Sequence, residues 1–567
     1  MTTLRYPGWS TATSIPSGND GLELAFQHHA SGHWDEARTL YTTRLNQPPH
    51  QALARIHLAL LEQQAGNNQE AIAHLLAGLP RVREIDCDTL LRVAAKQPSI
   101  FCNFMGIACH QLGRMPEALA CYQKALSLQP DYPAALSNYG FALMALERWA
   151  EAREQFSAAL ALQPDFPEAH ANLGAVLQEM GRYREAEHCF RTAIGLNNEF
   201  TNAWYNLGLA LQAQGRHAEA RPPLERAIQL EPQFAEGHLA LGLLLLRLGD
   251  HPTGWAEHEW RWRTAGFHHH GKKQPLWNGT RLPGQTILLH GEQGFGDSIQ
   301  FIRYAPLVKA MGATVLVQCP GALVPLFQTA PGIDKVFATE QTVPPCTAQA
   351  PLMSLPHLLR TTVDTIPASL PYLAVDPERS AFFSQRAQSL TGFKIGVAWR
   401  GNPKHKNDRH RSMSPHHWAP LGHLSGLTLI GLQKPLLDED REIFSQFNNF
   451  VDWSPWLDDF SATAAAIAQT DLVIAVDSAV IHLAGALNHP AWILLPMVPD
   501  WRWGLDERTT PWYPGMRQFR QTHDDSWDQV MARIRENLFS GNYLAKTNRE
   551  RLVPQSVPVA RKKNEPL

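Results

Sequence analysis

The chain has few of the features that would place it outside a cell or in a membrane. Its seven cysteines stand singly, in an odd number and with no C-x-x-C pair. Such a set builds neither a disulfide framework nor a thiolate zinc site, and it suits reduced thiols in a cytoplasmic setting. No stretch of the chain approaches the roughly 18 uninterrupted apolar residues that a membrane-spanning helix needs. The first residues, MTTLRYPGWS, lack a basic start followed by an apolar run, so no secretory signal is expected. One sign of charge does not dominate either: the formal net charge is −3 over 567 residues. That balance gives no general attraction to nucleic acid or to an anionic membrane surface.

What the chain does have is a period. Glycine recurs every 34 residues at Gly106, Gly140, Gly174, Gly208 and Gly242. Alanine follows 12 residues after each of the first four, at Ala118, Ala152, Ala186 and Ala220. A bulky apolar residue comes four later (Tyr122, Phe156, Phe190, Leu224), and alanine again three after that (Ala125, Ala159, Ala193, Ala227). Pro130, Pro164 and Pro232 close three of these units, and Asn198 stands in the same place in the other. The spacing predicts two antiparallel helices per unit. Small residues let the pair approach, the aromatic fills the gap between units, and proline stops the second helix. The pattern resembles the tetratricopeptide repeat (TPR) family. Ala37 with Tyr41, and Ala71 with Leu75, extend the register upstream, while residues 80–98 interrupt it by about one extra helix. The expectation is an α-solenoid of six repeats and a half over residues 18–262. Asn138, Asn172 and Asn206 recur with the same step. They form a candidate acceptor-binding ladder that grips the backbone of an extended peptide, or they bond within the array.

The second half reads differently. Residues 263–284 form a polar and aromatic linker that includes His268, His269 and His270. Adjacent histidines point in different directions and no further ligand cluster lies near, so a solvated loop is expected there and no metal. After it, short apolar runs alternate with helix-like stretches. TILLH, ATVLVQC and DKVFAT fall within residues 285–390; KIGVAWR, LTLIGLQ, LVIAVD and AWILLP fall within residues 391–540. This is the signature of parallel α/β sheets, and it predicts two Rossmann-like domains facing a cleft. Residues 541–567 are expected to be a flexible tail.

Four loops at strand ends carry chemistry-bearing residues. In GEQGFGD, Gly294 and Gly296 let the backbone approach a ligand, and Asp297 either caps the following helix or acts as a general base. The loop after KIGVAWR is cationic. Arg400, Lys406, Arg409 and Arg411 are candidate diphosphate ligands, and a merely solvated loop is the alternative. Asp477 ends a strand and Ser478 begins a helix whose free amides favour an anion, with His482 one turn in, either structural or in the site. In PDWRWG, Trp501 and Arg502 make a stacking platform for a base or sugar ring, or simply pack.

Taken with the spacing D-S-x-x-x-H-L-A-G-A-L from Asp477 onward and with GFGD, residues 285–540 resemble the GT-B glycosyltransferase fold, and more closely the lipopolysaccharide heptosyltransferase family. The resemblance implies that Asp297 is the catalytic base and that Asp477 and His482 line the nucleotide-sugar site. In that family a lysine after the second domain's first strand meets the donor diphosphate. Here the loop is longer and richer in arginine, and one of its cations inherits the role. The combination of array and transferase is similar to bacterial TPR glycosyltransferases, including those that modify flagellin, and its layout is similar to that of O-linked N-acetylglucosamine transferases. The expected function is sugar transfer from a nucleotide sugar to a protein Ser or Thr hydroxyl. The array recruits the acceptor, possible acceptors include a flagellin-like protein, and no metal or other cofactor takes part. The alternatives are an interaction scaffold with a non-catalytic sugar-nucleotide module, and a transferase acting on a lipid-linked glycan.

Overall fold

The computed structural model describes residues 21–46, 51–81, 98–265, 267, 274–292, 294–403, 408–505, 508–522 and 526–540. The interruption expected at 80–98, His268–His270, Lys406 and the tail 541–567 lie largely or wholly outside these residues. The chain divides into two compact units, Met1–Gln233 and Phe234–Leu567.

The first unit is built from helix pairs: Gly21–Ala30 with Trp34–Thr43, Gln51–Gln64 with Asn68–Gly78, Pro98–Gln111 with Met115–Leu128, Pro133–Ala145 with Trp149–Leu162, Pro167–Glu179 with Tyr183–Leu196, and Thr201–Ala213 with His217–Leu230. The periodic residues explain the pairing. A Cβ placed on Gly174 would come within 2.7 Å of the Phe190 ring, and one on Gly106 within 2.5 Å of Tyr122. The aromatic expected between units therefore rests first on the glycine of its own repeat. It also reaches its neighbours, since Tyr122, Tyr139, Phe156 and Val176 belong to one buried cluster. The periodic alanines are fully buried, where any larger side chain would push the helices apart.

The turn between the two helices of a repeat needs a left-handed residue. Gly113, Gly181 and Gly215 supply it with φ of 71°, 75° and 75°. In the repeat between them Glu147 takes the same position with φ of 57°. A side chain there costs about 1–2 kcal/mol relative to the right-handed region.

The second unit begins with a further helix pair in the same register, Ala235–Leu248 and His251–His258, followed by the short helix Glu259–Arg263. The helical period thus runs on to 262, while the packing boundary lies at 233. The reason is the core: Leu246 and Trp255 share one buried cluster with Ile287 and Leu289 and with Val473 and Ala475.

Ten strands follow among the described residues: β1 Thr286–His290, β2 Thr314–Cys319, β3 Lys335–Ala338, β4 Ala348–Pro351, β5 Phe393–Ala398, β6 Leu427–Gly431, β7 Phe450–Asp452, β8 Leu472–Val476, β9 Ala491–Leu495 and β10 Arg517–Arg520. The first sheet has the order β3-β2-β1-β4 and the second β10-β9-β8-β5-β6-β7. Every strand pairing is parallel. The second order is that of a dinucleotide-type doubly wound sheet, and the first is its opening four strands. β5, β8 and β9 are buried nearly throughout, as their largely apolar runs require.

Two substitutions test the array. Gly174→Val is expected to lower stability by about 1–3 kcal/mol through overpacking against Phe190. Glu147→Gly is expected to raise it by up to about 1 kcal/mol as the left-handed strain is relieved. Urea unfolding midpoints of the full chain check both.

Candidate functional site

In parallel sheets with helical crossovers, the loops that leave the strands' carboxyl ends gather along one edge. Here those loops are 291–297 after β1, 399–411 after β5, 477–478 after β8 and 496–504 after β9. In each sheet the winding reverses beside the first strand, between β1 and β4 and between β5 and β8. The loops after β5 and β8 flank that reversal, where a ligand finds the widest crevice.

Asp297 sits in the first turn of helix Phe295–Phe301. Its Oδ2 accepts the backbone N–H of Gly294 at 3.1 Å, and its Oδ1 accepts from Nη2 of Arg502. It is thus a helix cap and an ion-pair partner together. Arg502 is nearly buried and reaches two further acceptors, Oε1 of Gln300 through Nε at 2.7 Å and Oδ1 of Asp500 through Nη1 at 2.8 Å. Burial alone would lower the Arg502 pKa, but the charges of Asp500, Asp297 and Asp477 outweigh it and the guanidinium is held above its ordinary range.

Gly296 backs onto the helix that carries His482: a Cβ there would lie 2.9 Å from Cδ2 of His482. The His482 ring stacks on Trp503 at 5.3 Å and its Nδ1 meets the Tyr513 hydroxyl at 3.0 Å. Its Nε2 faces Oδ1 of Asp477 at 3.6 Å. Burial works to raise the Asp477 carboxyl, but the His482 ring and the Arg411 guanidinium hold it below the ordinary carboxylate range. Arg411 itself donates to Oδ1 of Asp408 at 3.2 Å and lies against Gly401, where a Cβ would stand 2.6 Å from its Nη2. Behind His482 the network continues inward. Tyr513 and Tyr372 have their hydroxyls 3.5 Å apart, and buried Arg303 donates to Tyr372 at 3.0 Å and to the Trp512 carbonyl at 2.9 Å.

Ser478 begins helix Ala479–Ala486 without capping it through its side chain. Its Oγ is buried and has no hydrogen-bond partner among the described residues, and the same is true of Nε2 of Gln300. Buried polar atoms are nearly always paired, so each of these two has a hydrogen bond left to make.

Not every expected residue joins this group. Arg400 turns away: its Nη2 pairs with buried Asp440, whose other oxygen caps helix Asp438–Phe444 at the Leu437 N–H, 3.1 Å. A carboxylate 40 positions along the chain pairs with it. Trp501 is not an exposed platform. It is 3% exposed, with Trp255 edge-on at 5.2 Å and Trp512 at 5.9 Å. Arg409 is exposed and donates to the neighbouring His410 ring at 3.1 Å. Gly294 is exposed at the loop's rim and Lys406 lies outside the described residues. Gln300, Asp500, Trp503 and Tyr513 complete the constellation without having been singled out. Asp500 and Trp503 flank Arg502 within one short motif, and that proximity was the available signal.

In the first unit, Asn138 donates through Nδ2 to Oδ1 of Asn103 at 2.9 Å, so this member of the asparagine series bonds within the array. Asn172 and Asn206 are half-buried. Among the described residues no group of three or more His, Cys, Asp or Glu side chains is placed to hold a metal ion, and no helix is long and apolar enough to cross a membrane.

Comparison with known proteins bears mainly on the array. A tetratricopeptide repeat model matches residues 28–83, 172–233 and 210–253, and a TPR repeat model matches 106–146 and 140–181. The chain is 29% identical over 289 residues to Protein FlbA of Caulobacter vibrioides, covering 46% of this chain and 47% of that protein. The match therefore spans about half of that relative's length. Among solved structures, MamA from Desulfovibrio magneticus RS-1 is 26% identical, covers 29% of this chain and 92% of that one, and has a TM-score of 0.27. YrrB, described as a TPR protein with an unusual peptide-binding site, is 20% identical, covers 32% of this chain and 94% of that one, and has a TM-score of 0.27. Between residues 28 and 253, then, the chain carries tetratricopeptide repeats.

Proposed function

We propose that the protein is a metal-independent glycosyltransferase of GT-B type that moves a sugar from a nucleotide-sugar donor to a Ser or Thr hydroxyl of a protein recruited by the repeats. TPR arrays typically present an extended surface to a protein partner. The observation that carries the catalytic part is the meeting of Gly296 with His482 and of Asp297 with Arg502, residues from the segments that follow three strands, β1, β8 and β9, of two parallel sheets.

In this reading the donor's diphosphate lies at the start of helix Ala479–Ala486, where the free amides, the unpaired Ser478 Oγ and the nearby Arg411 offer positive potential. The acceptor hydroxyl attacks the anomeric carbon and its proton passes to Asp297. The bond from that carbon to the diphosphate oxygen breaks, and the electron pair leaves with the nucleoside diphosphate. Arg411 and the helix start stabilise that charge as it develops. An ionised carboxylate offers about four acceptor directions, so the Gly294 amide and Arg502 leave room for the hydroxyl while fixing its direction.

The occupied state of Asp297 is also what a structural cap requires, and it favours the second reading, a scaffold that binds a sugar nucleotide without turnover. Co-expression with candidate acceptors and intact-mass measurement separates the two, since the mass increment identifies the sugar class. Asp297→Asn is expected to lower transfer at least about 100-fold, the scale of lost general-base catalysis. Arg411→Met is expected to lower it about tenfold or more by withdrawing charge from the leaving group. Transfer unchanged in both variants removes the mechanism, and donor binding with neither transfer nor hydrolysis supports the scaffold. Replacing Asn172 and Asn206 together by Ala is expected to raise the KM for a protein acceptor while donor hydrolysis persists. A lipid-linked glycan acceptor would be modified at an unchanged rate.

A further inference from the structure

The last helix pair breaks the rule of the repeats at the positions that matter. The alanine series Ala125, Ala159, Ala193, Ala227 continues, 34 residues on, to Arg261. The aromatic series Tyr122, Phe156, Phe190, Leu224 continues to His258. A packing slot has thus become a buried cation, with 0% of its side chain exposed.

That cation is fully engaged. Arg261 donates through Nε at 3.0 Å and through Nη2 at 2.9 Å to Oε2 of Glu292, and through Nη2 at 3.0 Å to Oε1. It also reaches Glu259 at 2.6 Å and the Ser354 hydroxyl at 2.7 Å. Glu292 is the second residue of the GEQGFGD loop. Its side chain is 1% exposed, and its Oε1 also accepts the Met353 N–H at 3.1 Å. The same helix pair grips the loop after β9. Trp255 packs edge-on against Trp501, and Nη2 of Arg247 donates to the Pro499 carbonyl at 2.8 Å. Both loops that contribute to the Asp297–Arg502 pair are therefore held from one side by one helical hairpin.

A buried ion pair is a poor way to gain stability, because desolvating both charges offsets most of their attraction. The cost is visible here: burial pushes the Glu292 carboxyl up to about 7 despite the pull of Arg261. The four alanines at the equivalent positions show what simple packing uses instead. What a bidentate guanidinium–carboxylate pair supplies is direction. We infer that the hairpin of residues 235–263 is a positioning element of the candidate site, with Arg261 fixing the glycine loop through Glu292 and Trp255 and Arg247 fixing the loop after β9.

The consequence for turnover rests on the transferase reading; the placement of the loop does not. The test compares full-length protein with its Arg261→Met variant by amide hydrogen exchange. Peptides covering residues 291–298 are expected to exchange about tenfold faster or more in the variant, while those covering β5 and β8 keep their protection. Unchanged protection of 291–298 overturns the proposal. If Arg261→Met does not fold, Glu292→Gln, which keeps the shape and one acceptor oxygen, is read in the same way. With a donor that the wild-type protein turns over, kcat is expected to fall about tenfold with KM nearly unchanged, and Arg261→Lys to restore part of it. A folded variant with full kcat overturns the positioning role. A wild-type protein that turns over no donor refutes the transferase reading instead, and the exchange result still decides this proposal.

Discussion

One buried guanidinium governs the arrangement of the second unit. Arg502 is nearly buried, so most of its charge has to be met by protein groups. Asp500 from its own loop, Asp297 from the loop after β1 and Gln300 one turn further along the same helix do so. The carboxyl edges of the two sheets are thereby joined here, as they are where Gly296 backs onto His482, and parting the two loops would leave Asp297 without its cation. His258 shows how far that field extends. Burial first, and then the charges of Arg261 and Arg502, hold its imidazole well below its usual pKa, so a neutral ring sits near two cations. A protonated ring there would add a third positive charge to a site that has no room for it.

The first unit obeys a different constraint, which is steric. Its ion pairs are regular: Arg114 with Glu117, Arg148 with Glu151, Arg182 with Glu185 and Arg216 with Glu219 recur at the last four second-helix starts of the unit, at 2.6–2.7 Å. Most of these side chains are well exposed, so solvent screens them and they add little. The array stands instead on glycine meeting an aromatic ring and on alanine meeting alanine, contacts that tolerate no added volume. That explains why the period was so plain in the chain. Where packing admits only one size of side chain, the residue type repeats.

The same logic separates what the sequence disclosed from what it hid. The buried strands β8 and β9 appear as unbroken apolar runs, and β1 and β5 as mainly apolar ones, between turn residues. The strands β4, AQAP, and β7, FVD, do not, because they are short and owe their conformation to the neighbour they pair with. The loops of the candidate site were legible by their position after strands, but the direction of each side chain was not. Arg400 shares a loop with Arg411, yet Asp440 claims it. Trp501 shares a motif with Arg502, yet Trp255 covers it. Such choices depend on residues remote in sequence, and no local pattern encodes them. Arg261 is the opposite case. Carrying the 34-residue register one step past Ala227 lands on it, and a charged residue in a slot reserved for alanine is a signal that needs no coordinates.

That slot has a consequence for how the protein can change length. Solenoids grow and shrink by duplication or loss of whole units, because each unit meets only its neighbours. The pair beginning at Ala235 is excluded from that freedom, since its interior is shared with the sheets that follow. A copy of it inserted downstream would strand a second guanidinium without a carboxylate, and its deletion would strip Glu292 of its counter-charge. A unit added or removed before residue 234 leaves that shared interior intact, so the length of the array can change there without touching the Arg261–Glu292 pair.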